Sequence, residues 1–149
     1  MVSTQVVANT FLYYGFEEGI KITPMKLQKL IYFLFKRYAQ TTSQKLFSEQ
    51  FETWKYGPVL PSIYYEFSSF GSQSITKFAR DAKGQVHILN ISSNAELNES
   101  WNYIWNRYKY CTGPELSAIT HQNGTAWSKA KESNSPTLKY EDIIDEQRN

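Results

Sequence analysis

The chain has 149 residues, a formal net charge of +2, one cysteine and two histidines. That length suits one ordinary core and excludes two typical domains, and the small positive charge argues against a nucleic-acid partner. A lone cysteine excludes an intrachain disulfide and fits a reducing cytosol, MVSTQVVANTF lacks a signal-peptide pattern, and no run of ~18 apolar residues offers a membrane span, so a cytoplasmic location is expected.

Residues 3–18 read as an amphipathic helix, with Val7, Ala8, Phe11 and Leu12 at helical spacing and Gly15 and Gly19 weakening its end. Residues 23–40 give the strongest helical pattern. Thr23 suits an N-cap, Pro24 suits the first helical position, and Leu27, Leu30, Ile31, Leu34 and Tyr38 make the buried stripe. Lys26, Lys29, Lys36 and Arg37 share a sector of the opposite face. A solvated basic face is the first reading of that sector, and a binding face is the second.

The stretch FETWKYGPVLPSIYYEF, residues 51–67, concentrates aromatic residues around a Gly-Pro pair. Phe47, Phe51 and Trp54 fit a short helix or an extended segment. Gly57-Pro58 forces a break, after which Pro61 to Phe70 reads as a helix with Ile63, Tyr64 and Phe67 on its apolar side, ended by Gly71. Asp81-Ala82-Lys83-Gly84 signals a turn, and Val86 to Ile91 is the best strand candidate. Ser92 to Asn94 can cap a helix over 95–110, buried along Leu97, Trp101, Ile104, Trp105 and Tyr108. Gly113-Pro114 breaks the chain again before short helices at 114–121, 124–131 and 139–147. The expectation is a mainly α, compact single-domain bundle spanning 1–149, with five to seven helices and a small β-hairpin or strand insertion near 72–91.

Chemistry-bearing motifs are sparse. His87 and His121 are far apart, and no metal-ligand spacing, nucleophile elbow or glycine-rich phosphate cradle is present, so neither a metal nor a cofactor is expected. Cys111 and His121 could in principle pair as a thiol nucleophile and its base, but a lone cysteine ending an aromatic helix reads first as a packing residue. His121 reads first as a helix C-cap and second as a contact to a partner or ligand. Two helices joined by a short glycine-containing turn superficially resemble a helix-turn-helix, with Lys26, Gln28 and Lys29 as the DNA-reaching residues of the 23–40 helix.

Three stretches carry a resemblance when taken in order: ITPMKLQKLIYF, FETWKYGPVLPSIYYEF and LSAITHQNGTAW. Together they resemble the Panacea domain, also described as SocA-like antitoxin or phage-associated GepA-like. The resemblance runs from about Val6 to Ala130. Lys26, Leu27, Gln28, Lys29, Leu30, Trp54, Gly57, Pro58, Val59, Thr120, His121 and Trp127 match the family's motif, while Asn123 and Ala126 stand near places where it commonly has an acidic residue and a proline. The resemblance implies a helical domain without enzymatic activity that neutralises a toxin by direct protein contact, in one branch as an adaptor delivering it to a protease. A phage- or prophage-encoded inhibitor of a host defence or regulatory protein is the alternative, and a DNA-binding regulator using the 23–40 helix is a further one. A protein partner is therefore expected, with the chain monomeric or homodimeric. Candidate contacts are Lys26, Lys29, Trp54, Lys55, Tyr56, His121 and Trp127. Trp54 and Trp127 read more readily as core rings than as exposed anchors. WKYGPV reads as a rigid corner that joins two helices, with Lys55 and Tyr56 as its exposed, partner-facing members.

Overall fold

Short polar residues in the sequence start most of the helices. In a computed structural model of the chain, which describes residues 1–147, Ser3 caps α1 (Thr4–Glu18), Thr23 caps α2 (Pro24–Thr42), and Asn94 caps α4 (Ala95–Tyr108). Thr112 opens α5 (Gly113–Thr120) with a full capping box to Glu115, and Thr125 caps α6 (Ala126–Glu132). Each cap side chain accepts from a backbone N–H that the helix itself leaves unpaired. Pro61 sits at the first turn of α3 (Pro61–Phe67), a 3-10 turn continues it over Ser68–Phe70, and α7 (Tyr140–Ile144) closes the described chain. The described residues thus hold seven helices and one two-stranded antiparallel sheet, β1 (Glu52–Trp54) with β2 (Gly57–Val59).

Helix α2 is the axis. It packs against α1, α3, α4, α5, α7 and β2, and its residues from Lys26 to Lys36 are all buried. The apolar stripe meets a core that includes Phe11, Trp101, Trp105, Phe47, Phe51 and Leu116. The rings there are close: Phe11 lies 4.4 Å from Trp101, and Phe33 stacks on Tyr108 at 4.7 Å between centroids.

The expected solvated basic face is not there: Lys26, Lys29 and Lys36 are each at most 5% exposed. A helix surrounded on every side cannot present a solvated stripe, and its polar residues instead clasp its neighbours. Lys26 Nζ donates to the Lys109 carbonyl at the end of α4, and Lys29 Nζ donates to the Pro58 carbonyl in β2 at 3.0 Å. The Gln28 amide both donates to and accepts from the Leu60 backbone, at 3.0 and 2.9 Å. Lys36 pairs with Glu146 at 3.3 Å, Gln40 donates to the Ile144 and Glu146 carbonyls, and Arg37 pairs with Glu99 across the Tyr103 ring. Glu146 also accepts from the Tyr32 hydroxyl and from the Ala126 N–H at the start of α6. Burial, and then the neighbouring carboxylate, raises the Tyr32 pKa well above that of free tyrosine.

The small β element lies at 52–59, not near 72–91. Residues 72–90 form an irregular strap across α1. A strand needs a ladder partner for its backbone, and here α1 side chains take that place. Asn9 holds Ala79 through both its amide oxygen (2.8 Å) and nitrogen (2.9 Å), and Thr10 Oγ1 accepts from the Leu89 N–H at 2.9 Å. The expected turn at 81–84 does form: Asp81 Oδ1 accepts from the Lys83 and Gln85 amides, each at 2.9 Å.

Candidate functional site

The Gly57-Pro58 pair does not break the chain between two helices. It opens β2, and Lys55 and Tyr56 form the tip of a tight hairpin in which Trp54 faces Gly57. Gly57 has φ +118°, a backbone conformation that side chains rarely adopt, and it presses directly on α5. A Cβ there would stand 2.6 Å from Thr120 Oγ1 and 3.0 Å from Lys29 Cε.

Four carbonyls of this hairpin are then held by side chains from elsewhere in the sequence. Trp127 Nε1 donates to the Trp54 carbonyl at 2.7 Å, and Ser117 Oγ donates to the Tyr56 carbonyl at 2.6 Å. His121 Nε2 lies 2.9 Å from the Lys55 carbonyl oxygen and Nδ1 lies 2.6 Å from that of Ser117, with the ring 3.9 Å from the Trp127 ring. Lys29 takes the Pro58 carbonyl, and Gln28 takes both backbone groups of Leu60 just beyond. A hairpin of three-residue strands is marginal alone, so these long-range bonds fix its position.

Beside the pinned hairpin lies a cleft of about 400 Å³. Met25, Val59, Ile63 and Phe67 give it apolar walls, and Trp54, Tyr56 and Tyr64 give it an aromatic rim. Trp54 and Tyr64 meet edge to face at 4.8 Å, while Tyr56 is 55% and Tyr64 42% exposed. The Trp54 indole N–H is taken by Glu52 at 2.9 Å. Lys29 also lines the cleft, and removal from water lowers its pKa from 10.5 to about 7.

The seven candidate contact residues therefore divide. Trp54, Lys55, Tyr56 and Lys29 line this cleft, while His121 and Trp127 stand behind the hairpin and hold its carbonyls. Lys26 lies apart, on a wider groove of about 700 Å³ shared with Cys111, Lys109 and Glu18. Trp54 and Trp127 are half-buried, not the fully enclosed core rings expected from their size. His121 caps α5 as expected, and its second nitrogen reaches the hairpin; both nitrogens face carbonyls, which leaves neither to activate Cys111. Helix α2 is enclosed by its neighbours, so it cannot enter a DNA groove, and the helix-turn-helix reading falls with it. Tyr64, expected on the apolar side of its helix with Ile63 and Phe67, is instead 42% exposed on the cleft rim, and Ser117 is a hairpin contact that the sequence reading did not mark. Ser117 precedes His121 by four residues on α5, and that spacing alone would have put both on one face. No group of three or more His, Cys, Asp or Glu able to hold a metal occurs among the described residues, and no helix there is long and apolar enough to cross a membrane.

The chain is thus a mainly α fold whose sequence motif builds a pinned, aromatic-rimmed hairpin. The profile described as Antitoxin SocA-like, Panacea domain matches residues 27–128, and the chain belongs to that family. Antitoxin SocA of Caulobacter vibrioides (strain NA1000 / CB15N) is 30% identical over 129 residues, an alignment covering 85% of this chain and 69% of that protein. No solved structure matches the chain. The matched span holds Gln28 and Lys29 of α2, the hairpin, α5 and the Trp127 indole, and so most of the contacts that pin the hairpin.

Proposed function

We propose that this protein is an antitoxin that acts as one domain, without catalysis, by gripping a toxin through the cleft beside the hairpin. The observation that carries the reading is the aromatic rim of exposed Tyr56 and Tyr64 and half-buried Trp54 around an apolar cleft, on a backbone locked by five side chains from α2, α5 and α6. Aromatic side chains on a pre-ordered backbone lose little entropy on binding, and such residues dominate interface hot spots. The bound toxin would be occluded sterically, and the complex could in turn be presented to a protease, with this chain as adaptor.

Affinity purification from the native host identifies the co-eluting toxin, and co-expression then measures rescue of growth. Rescue by the natural chain and its loss in a Tyr56→Ala, Tyr64→Ala variant that still folds are expected. No co-eluting toxin, or undiminished rescue by the variant, would sink the reading.

A further inference from the structure

The cleft has an unusual charge pattern for its walls. Among the described residues two cations line it, Lys29 and Lys55, and no carboxylate does. Glu52, on the same hairpin, is turned to the Trp54 indole and is not part of the lining. Lys55 is exposed at the rim, whereas Lys29 is 1% exposed. An ammonium has three N–H donors, and Lys29 Nζ has one hydrogen-bond acceptor among the described residues, the Pro58 carbonyl. Burial has stripped it of water without supplying an opposite charge, and its pKa falls to about 7 for that reason. An anionic acceptor entering the cleft would restore the charged form and use the remaining donors. The surrounding walls (Met25, Val59, Ile63, Phe67) favour an occupant that is otherwise apolar.

Resting on the toxin-binding reading above, we propose that the cleft takes an acidic side chain of the partner, an Asp or Glu set between apolar residues, whose carboxylate accepts from Lys29 Nζ. The hairpin clasp by Lys29 then has a second use. The lysine that fixes the Pro58 carbonyl also selects a charged anchor from among apolar segments that would otherwise fit the cleft equally.

The chemistry can be tested without the toxin. End-capped pentapeptides with Glu at the centre and Leu or Phe on either side are titrated into the isotope-labelled full chain and compared with their Gln counterparts. Amide shifts of Tyr56, Gly57 and Val59 are followed by NMR at about pH 6, where carboxylates are ionised. The Glu peptides are expected to bind roughly tenfold or more tightly than the Gln peptides, the scale of one charge-assisted hydrogen bond. Lys29→Met is expected to reduce that preference to about twofold or less. Lys29→Gln, which keeps a neutral donor for the Pro58 carbonyl, is the second variant should the first fail to fold. Lys55→Ala is expected to retain most of the preference. Equal binding of Glu and Gln peptides, a preference that survives both Lys29 variants or vanishes with Lys55→Ala, or no shift with any peptide would overturn the proposal. An all-Leu peptide with a free C-terminal carboxylate that binds more tightly than the Glu peptide would overturn the choice of a side chain. If peptide selectivity fails while toxin rescue still needs Tyr56 and Tyr64, only the acidic anchor is lost; the reverse result sinks the toxin reading alone.

Discussion

Gly57→Ala tests the seating of the hairpin most sharply. Two separate costs are expected. Placing a side chain at φ +118° costs on the order of 1–3 kcal/mol in backbone strain. Forcing a Cβ to within 2.6 Å of Thr120 Oγ1 and 3.0 Å of Lys29 Cε makes α5 or α2 move. Overpacking of that kind typically costs another ~1–3 kcal/mol. The sum, about 4 kcal/mol, is a large share of the ~5–15 kcal/mol that holds a domain folded. Urea unfolding of the natural chain, Gly57→Ala, Thr120→Ala and the double variant separates the two parts. Thr120→Ala alone loses a hydrogen bond to the Ser117 carbonyl, about 1 kcal/mol. It also removes the closer clash, so Gly57→Ala should cost about 1–2 kcal/mol less in that background. A Gly57→Ala loss below about 1 kcal/mol, or strictly additive costs in the double variant, would refute the close approach of hairpin and α5.

Three other predictions concern the clasps. Lys29 has a folded pKa near 7 against 10.5 for the free side chain, so below about pH 7 both states carry the proton and between the two values only the unfolded state does. Stability contributed at this site therefore rises with pH above 7, by up to ~5 kcal/mol in total and roughly 2 kcal/mol between pH 7 and 9. The difference in unfolding free energy between the natural chain and Lys29→Met, measured across that window, should change by this amount; a flat difference contradicts the burial. Glu146→Ala leaves the buried Lys36 ammonium without its carboxylate and the Ala126 N–H without its acceptor, so a loss of ~3–5 kcal/mol in thermal or urea unfolding is expected, and a loss under ~1 kcal/mol would contradict it. Trp127→Phe keeps a ring against His121 but gives up the 2.7 Å bond to the Trp54 carbonyl. It should cost about 1 kcal/mol and speed hydrogen exchange at the hairpin more than in α4, and unchanged exchange at β1 and β2 would argue that the indole does not hold the hairpin.

What was legible in the sequence follows the range of the interaction. Pro24, Pro61, Thr23, Thr112 and Asn94 act within one helical turn, and the helices they start were readable within a few residues. The Leu27–Leu30–Ile31–Leu34 stripe was readable for the same reason. The fate of Lys26, Lys29 and Lys36 was not, because a lysine at helical spacing looks alike whether its ammonium meets water or a carbonyl 29 residues away, as Lys29 meets Pro58. Val86–Ile91 resembled a strand, but its backbone partners come from α1, 78 and 79 residues earlier: Asn9 donates to the His87 carbonyl and Thr10 accepts from the Leu89 N–H. Family resemblance marked Trp54, Gly57, His121 and Trp127 together. Their division into a cleft-lining residue and three that fix the hairpin became visible only when the carbonyls of Trp54, Lys55 and Tyr56 could be traced to their donors.

The most direct test of the account is the affinity of the purified chain for its co-eluting toxin, measured by isothermal titration for the natural protein, Tyr56→Ala, Tyr64→Ala, and Tyr110→Ala as a control. Tyr110 is 81% exposed and lies on the other groove. Each cleft substitution should weaken binding by roughly 2 kcal/mol, about thirtyfold, with unfolding free energies unchanged, and Tyr110→Ala should stay within a few tenths of a kcal/mol. Natural affinity in both cleft variants, or a loss as large at Tyr110, would place the toxin elsewhere on the molecule.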